Sequence, residues 1–191
     1  MSISKPAKGF KTRKKESGAT TVAPDFFAGE SDSGEEVSAE RDYVGAAQTI
    51  CLNALAVRAK SRGELAAHLK RRGIPVDAAN EVLDRLERSG LINDLDFARA
   101  WSTSRLNSKK ISKRVLAQEL RKKGVADELI AIALDEISVD DEYEAALHLG
   151  SRKARSLQNY AEDVRERRIT SALARKGYNY SIISRVLREV C

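Results

Sequence analysis

Aromatic residues and proline are scarce in this chain: aromatics are 5% of 191 residues, with one tryptophan, and there are three prolines. A sandwich, barrel or propeller of short strands and turns would use more of both, so the composition argues against those architectures. Cys51 and Cys191 are the only cysteines, too few for a disulfide framework and too few for a zinc site without companion ligands. Cys51 sits in the apolar run Ile50-Cys51-Leu52 and reads as a reduced core thiol. No apolar run is long enough to cross a bilayer, and no apolar stretch follows the basic start, so neither a membrane span nor a secretory signal is expected. His68 and His148 lie far apart without metal-ligand spacing, and no glycine-rich phosphate loop or Gly-x-Ser-x-Gly elbow occurs. Asp94 and Asp96 suit the start of a helix, where acids face the positive dipole end, better than a Mg2+ site. The expectation is a cytoplasmic protein that is not an enzyme, with no cofactor and no metal.

What is present favours helices. Charged residues are 32% of the chain and the net charge is +6, which by itself says little about polyanions. Residues 5–15 hold Lys5, Lys8, Lys11, Arg13, Lys14 and Lys15 without an acid, and residues 16–40 hold only acids among Gly, Ser, Thr and Pro. Residues 1–40 therefore read as a disordered charged arm. Beyond it, apolar residues recur at three and four. Tyr43, Ala46, Ala47, Ile50, Leu52, Leu55 and Ala56 mark a helix over about 41–58. Ser61 with Glu64 three residues later has the form of a capping box.

One pattern is written three times, around Gly73, Gly124 and Gly177. Eight residues before the glycine stand Leu65, Leu116 and Ile169, and four before stand Leu69, Leu120 and Leu173. One after come Ile74, Val125 and Tyr178; six after, Ala79, Ile130 and Ile183. Ten after come Leu83, Leu134 and Leu187, and thirteen after, Leu86, Ile137 and Val190. Each copy reads as helix, tight glycine corner, helix, with basic residues at the negative end of the first dipole. A further helix precedes each pair, at about 94–106 in the second copy and 140–157 in the third. The fold class expected is all-α: an elongated tandem array of three-helix repeats at 41–91, 92–138 and 139–191, behind the disordered arm. Phe97 and Trp101 share the face of Ala98 and read as core rather than a base-stacking platform.

Charge follows the repeat. Residues 99–125 hold nine bases against Glu119 alone, 151–176 hold eight bases and three acids, and 58–72 hold six bases and one acid. Residues 127–144 hold eight acids and no base. Stacked repeats would align the basic clusters along one side as a track for a phosphate backbone. Lys109, Lys110, Lys113, Arg114, Arg121, Lys122 and Lys123 are the candidate central contacts, extended by Arg62, Arg71, Arg72, Arg168, Arg175 and Lys176. A helix-turn-helix reading fails on charge. The would-be recognition helix at 77–88 is more acidic than basic, and 126–137 has no base.

The residues also carry a resemblance. Ser61-Arg62-Gly63-Glu64-Leu65 with Leu69 and Arg72-Gly73, then Gly90-Leu91-Ile92-Asn93-Asp94 with Phe97-Ala98, resemble the RecX family of regulatory proteins, in its actinobacterial phrasing. Gln118-Glu119-Leu120-Arg121-Lys122-Lys123-Gly124-Val125 and Leu173-Ala174-Arg175-Lys176-Gly177-Tyr178 continue it, so that it spans about 43–191. Two positions depart: Asn93 replaces a usual acid, and Lys109-Lys110-Ile111 lacks a glycine often found there. The resemblance implies a modular helical protein that lies in the groove of a RecA recombinase filament on DNA; the chain is expected to be monomeric, with its basic track on single- or double-stranded DNA. It would restrain ATP hydrolysis, strand exchange and co-protease activity in recombination and the damage response. The residues alone also fit a general DNA-binding module without a recombinase partner, or an adaptor for a protein partner that needs no DNA.

Overall fold

The computed structural model describes the backbone of residues 33–191 and the side chains of 42–191. The charged arm expected over 1–40 lies, up to residue 32, outside the described residues. Among the described residues nine helices form three groups of three: α1 Ser33–Val57, α2 Arg62–Arg71 and α3 Val76–Arg88; α4 Asp94–Lys109, α5 Lys113–Lys122 and α6 Asp127–Asp135; α7 Val139–Arg155, α8 Glu162–Arg175 and α9 Tyr180–Val190. The all-α repeat architecture read from the sequence is the one observed. α1 starts at Ser33, so its first two turns run through sequence assigned to the arm, where glutamate and alanine are compatible with helix.

Local chemistry sets the helix ends. Ser61 and Glu64 form the expected reciprocal capping box, and Ser138 with Asp141 forms another. Asn93, at the position of the missing acid, is the cap of α4 and accepts the amides of Leu95 and Asp96 at 3.1 Å. Each basic helix ends in the same Schellman corner. The amides of Ile74, Val125 and Tyr178 return to the carbonyls of Leu69, Leu120 and Leu173. Gly73, Gly124 and Gly177 supply the required left-handed turn at φ 75°, 75° and 89°.

The repeated apolar positions are the core. Leu65, Leu69, Leu116, Leu120, Ile169 and Leu173 are fully buried, and the residues one and six after each glycine are buried as well. Ten after, Leu83 is buried while Leu134 and Leu187 are half-buried. The row nine after, Val82, Ala133 and Val186, lies deeper and is not among the matched positions that mark the repeat in the sequence. Positions 6, 9 and 13 after the glycine share one helix face, and position 10 sits on its flank. The face of α1 matches expectation at Ala47 and Cys51 and differs at Ala54, Tyr43 and Leu52. Ala47, Cys51 and Ala54 are buried, whereas Tyr43 and Leu52 are 43% and 41% exposed. Small residues at i, i+4 and i+7 let the helix lie close, and the larger side chains flank that row. Cys51 is buried as expected, and Cys191 is exposed.

Repeats 1 and 3 each enclose one cluster, while repeat 2 encloses two. The second of these packs Leu106, Ile111, Leu116 and Ile137 against Ala145 of α7, so repeats 2 and 3 share apolar core.

Candidate nucleic-acid interface

The three basic helices α2, α5 and α8 meet end to end. The corner after α5 abuts the start of α2. There the Ser61 hydroxyl donates to the Lys123 carbonyl at 2.5 Å. A Cβ on Gly63 would stand 2.7 Å from the Gly124 Cα, so only glycine permits this approach. The corner after α8 meets the start of α5 in the same way, with the Ser112 amide donating to the Lys176 carbonyl at 3.0 Å. At both joints an acid from the next repeat receives the first helical amide: Arg62 N–H donates to Asp94 Oδ1 at 2.7 Å, and Lys113 N–H to Glu142 Oε1 at 2.9 Å. Carboxylates there satisfy amides that the helix leaves open. The basic clusters are thus carried on a row of helices with one repeated joint.

The first joint has an ionic clasp that the second lacks. Glu64 Oε1 lies 2.7 Å from Lys123 Nζ and 3.0 Å from Arg58 Nη2. Burial pushes the Glu64 carboxyl up, but hydrogen bonds from Arg58 and Lys123 outweigh it and hold the group down to about 2. Lys123 Nζ also stands 3.9 Å above the Trp101 ring, whose other cation is Arg105 at 4.1 Å. The Trp101 indole N–H donates to Glu119 at 2.9 Å. Phe97 is buried and Trp101 half-buried beside it at 5.9 Å between centroids, in keeping with a core role. In the second joint Val115 occupies the place of Glu64.

The structure sorts the sequence candidates. Lys123 is committed to the clasp, and Arg62 bridges Asp84 at 2.5 Å and Glu87 at 2.9 Å within repeat 1. Arg121 pairs with Asp127 at 2.6 Å on the surface, a weak tie in water. Arg168 lies 4.2 Å over the exposed Tyr160 ring. Lys109, Lys110, Lys113, Arg114, Arg71, Arg72, Lys122, Arg175 and Lys176 make no ion pair with another described residue. Lys113 and Arg114 occupy the first turn of α5, which has no acid of its own. Cations are disfavoured at that positive dipole end, so helix formation does not account for them.

Two grooves flank the joints. One of about 500 Å³ at the second joint is lined by Lys113, Arg114, Glu142, Gly177, Tyr178 and Asn179. The other, of about 450 Å³ at the first joint, brings Arg121 and Lys122 of α5 to Arg71 of α2. It adds Arg58, Lys60 and His68. In the sequence Arg58 and Lys60 belong to the basic cluster of 58–72 but not to the candidate contacts, and His68 carries no metal-ligand spacing. Their meeting with Lys122 depends on a joint between residues some sixty positions apart, which no local pattern marks. Among the described residues no group of three or more His, Cys, Asp or Glu could hold a metal ion, and no helix is long and apolar enough to cross a membrane.

Family models describe what this array is. Those for the first, second and third three-helix domains of RecX match residues 47–86, 93–134 and 140–187, in chain order. The regulatory protein RecX of Streptomyces coelicolor is 42% identical over 167 residues, covering 87% of this chain and 89% of that one. The chain belongs to the RecX family. Its RecX relatives include that of Mycolicibacterium smegmatis, 46% identical over 154 residues, covering 78% of this chain and 81% of the other. The actinobacterial character read from the sequence agrees with both. The crystal structure of RecX from Lactobacillus salivarius superposes with a TM-score of 0.72 at 24% identity, over 78% of this chain and 97% of that one. RecX membership makes the chain one of a family of regulatory proteins. Within the Lys109-Lys110-Ile111 stretch, Lys110 is left-handed, at φ 48°.

Proposed function

We propose that this RecX chain is a non-catalytic regulator, a cytoplasmic monomer that binds the RecA recombinase filament on DNA. By binding, it restrains the filament's ATPase, strand-exchange and co-protease activities. The observation that carries this reading is the match of all three RecX domains in order over a single repeat array. The basic row supports a DNA contact along the filament. Its working residues are Lys109, Lys110, Lys113, Arg114, Arg71, Arg72, Lys122, Arg168, Arg175 and Lys176, with Arg121 released from its exposed pair on contact. Arg62 and Lys123 position the joint rather than the ligand.

The decisive experiment is ATP hydrolysis by the cognate RecA on single-stranded DNA, with this protein titrated up to equal concentration. Inhibition well below one-to-one is expected, because a protein acting on filament growth or disassembly affects many subunits at once. No inhibition at equal concentration rejects the recombinase partner. The unpaired cations also favour a second reading, a general DNA-binding module. Tighter binding to the filament than to the same bare DNA at about 0.2 M salt, where backbone contacts alone are weakened, separates the two. Reversal of Lys109, Lys110, Lys113 and Arg114 to Glu is expected to reduce bare-DNA affinity sharply. Unchanged affinity rejects the track.

A further inference from the structure

We propose that the groove at the joint of repeats 1 and 2 seats consecutive phosphates of a nucleic-acid backbone, held by Lys60, Arg71 and Lys122 and by His68 in its protonated form. The inference rests on the DNA-binding reading above and adds to it a place and a linked proton. The groove takes its walls from two repeats. Arg58, Lys60, His68 and Arg71 come from the first, and Arg121 and Lys122 from the corner of the second. Glu64 is the one acid among the lining residues, and its charge is already shared between Arg58 and Lys123. Lys60, Arg71 and Lys122 make no ion pair with another described residue. Gly63 and Gly124 also line the groove, and their backbones pack on each other there, which fixes the two walls relative to one another.

Folding does not explain the whole set. Arg71 and Lys122 end helices, where the dipole favours them, but Lys60 precedes the cap of α2, at the opposite end. His68 records the resulting field. Burial, and then Arg72, Arg71 and Lys60, hold its imidazole below the ordinary histidine range. Across the groove it is faced by Arg58, Glu64, Arg121, Lys122 and Lys123. On its other side α1 offers Ile50, Asn53, Ala54 and Val57, none of which titrates. Phosphates seated between these cations offset their field at His68, so protonation of the imidazole becomes easier and the protonated ring is a further donor to the phosphate oxygens. Binding is therefore tighter at the acid side of neutrality, by linkage.

The test uses the full chain and its two histidines, His68 and His148, as NMR probes. His148 lies exposed on α7, away from the groove, and serves as internal reference. Titrations are run with short single-stranded oligodeoxythymidine, with inorganic phosphate at equal phosphate concentration, and without ligand. The oligonucleotide is expected to raise the His68 midpoint by about one unit while His148 stays in place; inorganic phosphate is expected to move neither. Saturating oligonucleotide with His68 unmoved overturns the seat and leaves the DNA reading intact. No oligonucleotide binding at low salt overturns both. An equal shift with inorganic phosphate assigns the groove to small phosphate anions instead. In a Lys60→Gln/Lys122→Gln chain that keeps its circular dichroism, the slope of log affinity against log salt is expected to flatten by about 1–2. An unchanged slope overturns the seat.

Discussion

Lys110 ends α4 in the left-handed region, at φ 48° and ψ 56°, with its amide donating to Leu106 at 3.2 Å. A side chain in that conformation costs on the order of 1 kcal/mol that glycine avoids. Lys110→Gly is therefore expected to raise the stability measured by urea unfolding by about 0.5–1 kcal/mol, while removing one cation from the track. Loss of stability would mean that the lysine stem packs favourably at the corner. Glu64 gives a pH signature at the same scale. Its carboxyl falls from 4.5 to about 2 on folding, so the folded state binds that proton more weakly than the unfolded chain. The stabilisation is complete above pH 4.5 and is lost as pH falls toward 2. Urea midpoints of Glu64→Gln are expected to lie below those of the unaltered chain near neutrality and to converge with them in acid. A constant gap across that window would remove the clasp as the cause.

Among the helices, close approach matters more than any single ion pair. Gly63 and Gly124 touch backbone to backbone, and an added methyl at Gly63 forces α2 away from the corner of repeat 2. Gly63→Ala is expected to destabilise by about 1–3 kcal/mol. Gly45→Ala in α1, with nothing within 4 Å of the new Cβ, is expected to stabilise slightly, as alanine does in a helix. Equal effects at the two sites would show that the joint is not tight. The helices themselves were legible because glycine corners, caps and three-four spacing act within a few residues of chain. The α1 face was misjudged in part, for a physical reason. The sequence weights large apolar residues such as Tyr43 and Leu52, while close packing adds Ala54 to the expected Ala47 and Cys51. The site was legible as charge but not as geometry. Nothing near Lys123 in sequence announces Glu64, and nothing near Arg62 announces Asp84. Two of the candidates, Lys123 and Arg62, are thus ion-paired to acids distant in sequence, and Arg58, Lys60 and His68 join Lys122 only through the fold.

Over the whole array, stability depends on what each repeat lends its neighbours. Repeats 1 and 2 join through hydrogen bonds, a clasp and a glycine contact, whereas repeats 2 and 3 also share the apolar cluster of Leu106, Ile111, Leu116, Ile137 and Ala145. A repeat array of this kind unfolds as coupled units rather than as one block. The one tryptophan of the chain, Trp101, lies under Lys123 at the first joint and reports on repeat 2 and that joint. Leu173, fully buried in repeat 3, touches neither. Leu173→Ala removes core volume there and is expected to cost about 2–5 kcal/mol locally. With repeat 3 weakened, helical circular dichroism should begin to fall at lower urea than Trp101 fluorescence changes, and the two curves should separate. Coincident curves, both shifted to lower urea, would instead show that the shared cluster between repeats 2 and 3 is strong enough to make them one cooperative unit. The order of loss matters for function. On the function and the phosphate seat proposed above, the groove at the first joint stays folded while the far end frays, and Leu173→Ala is expected to weaken inhibition of the recombinase ATPase more than it weakens the phosphate response of His68.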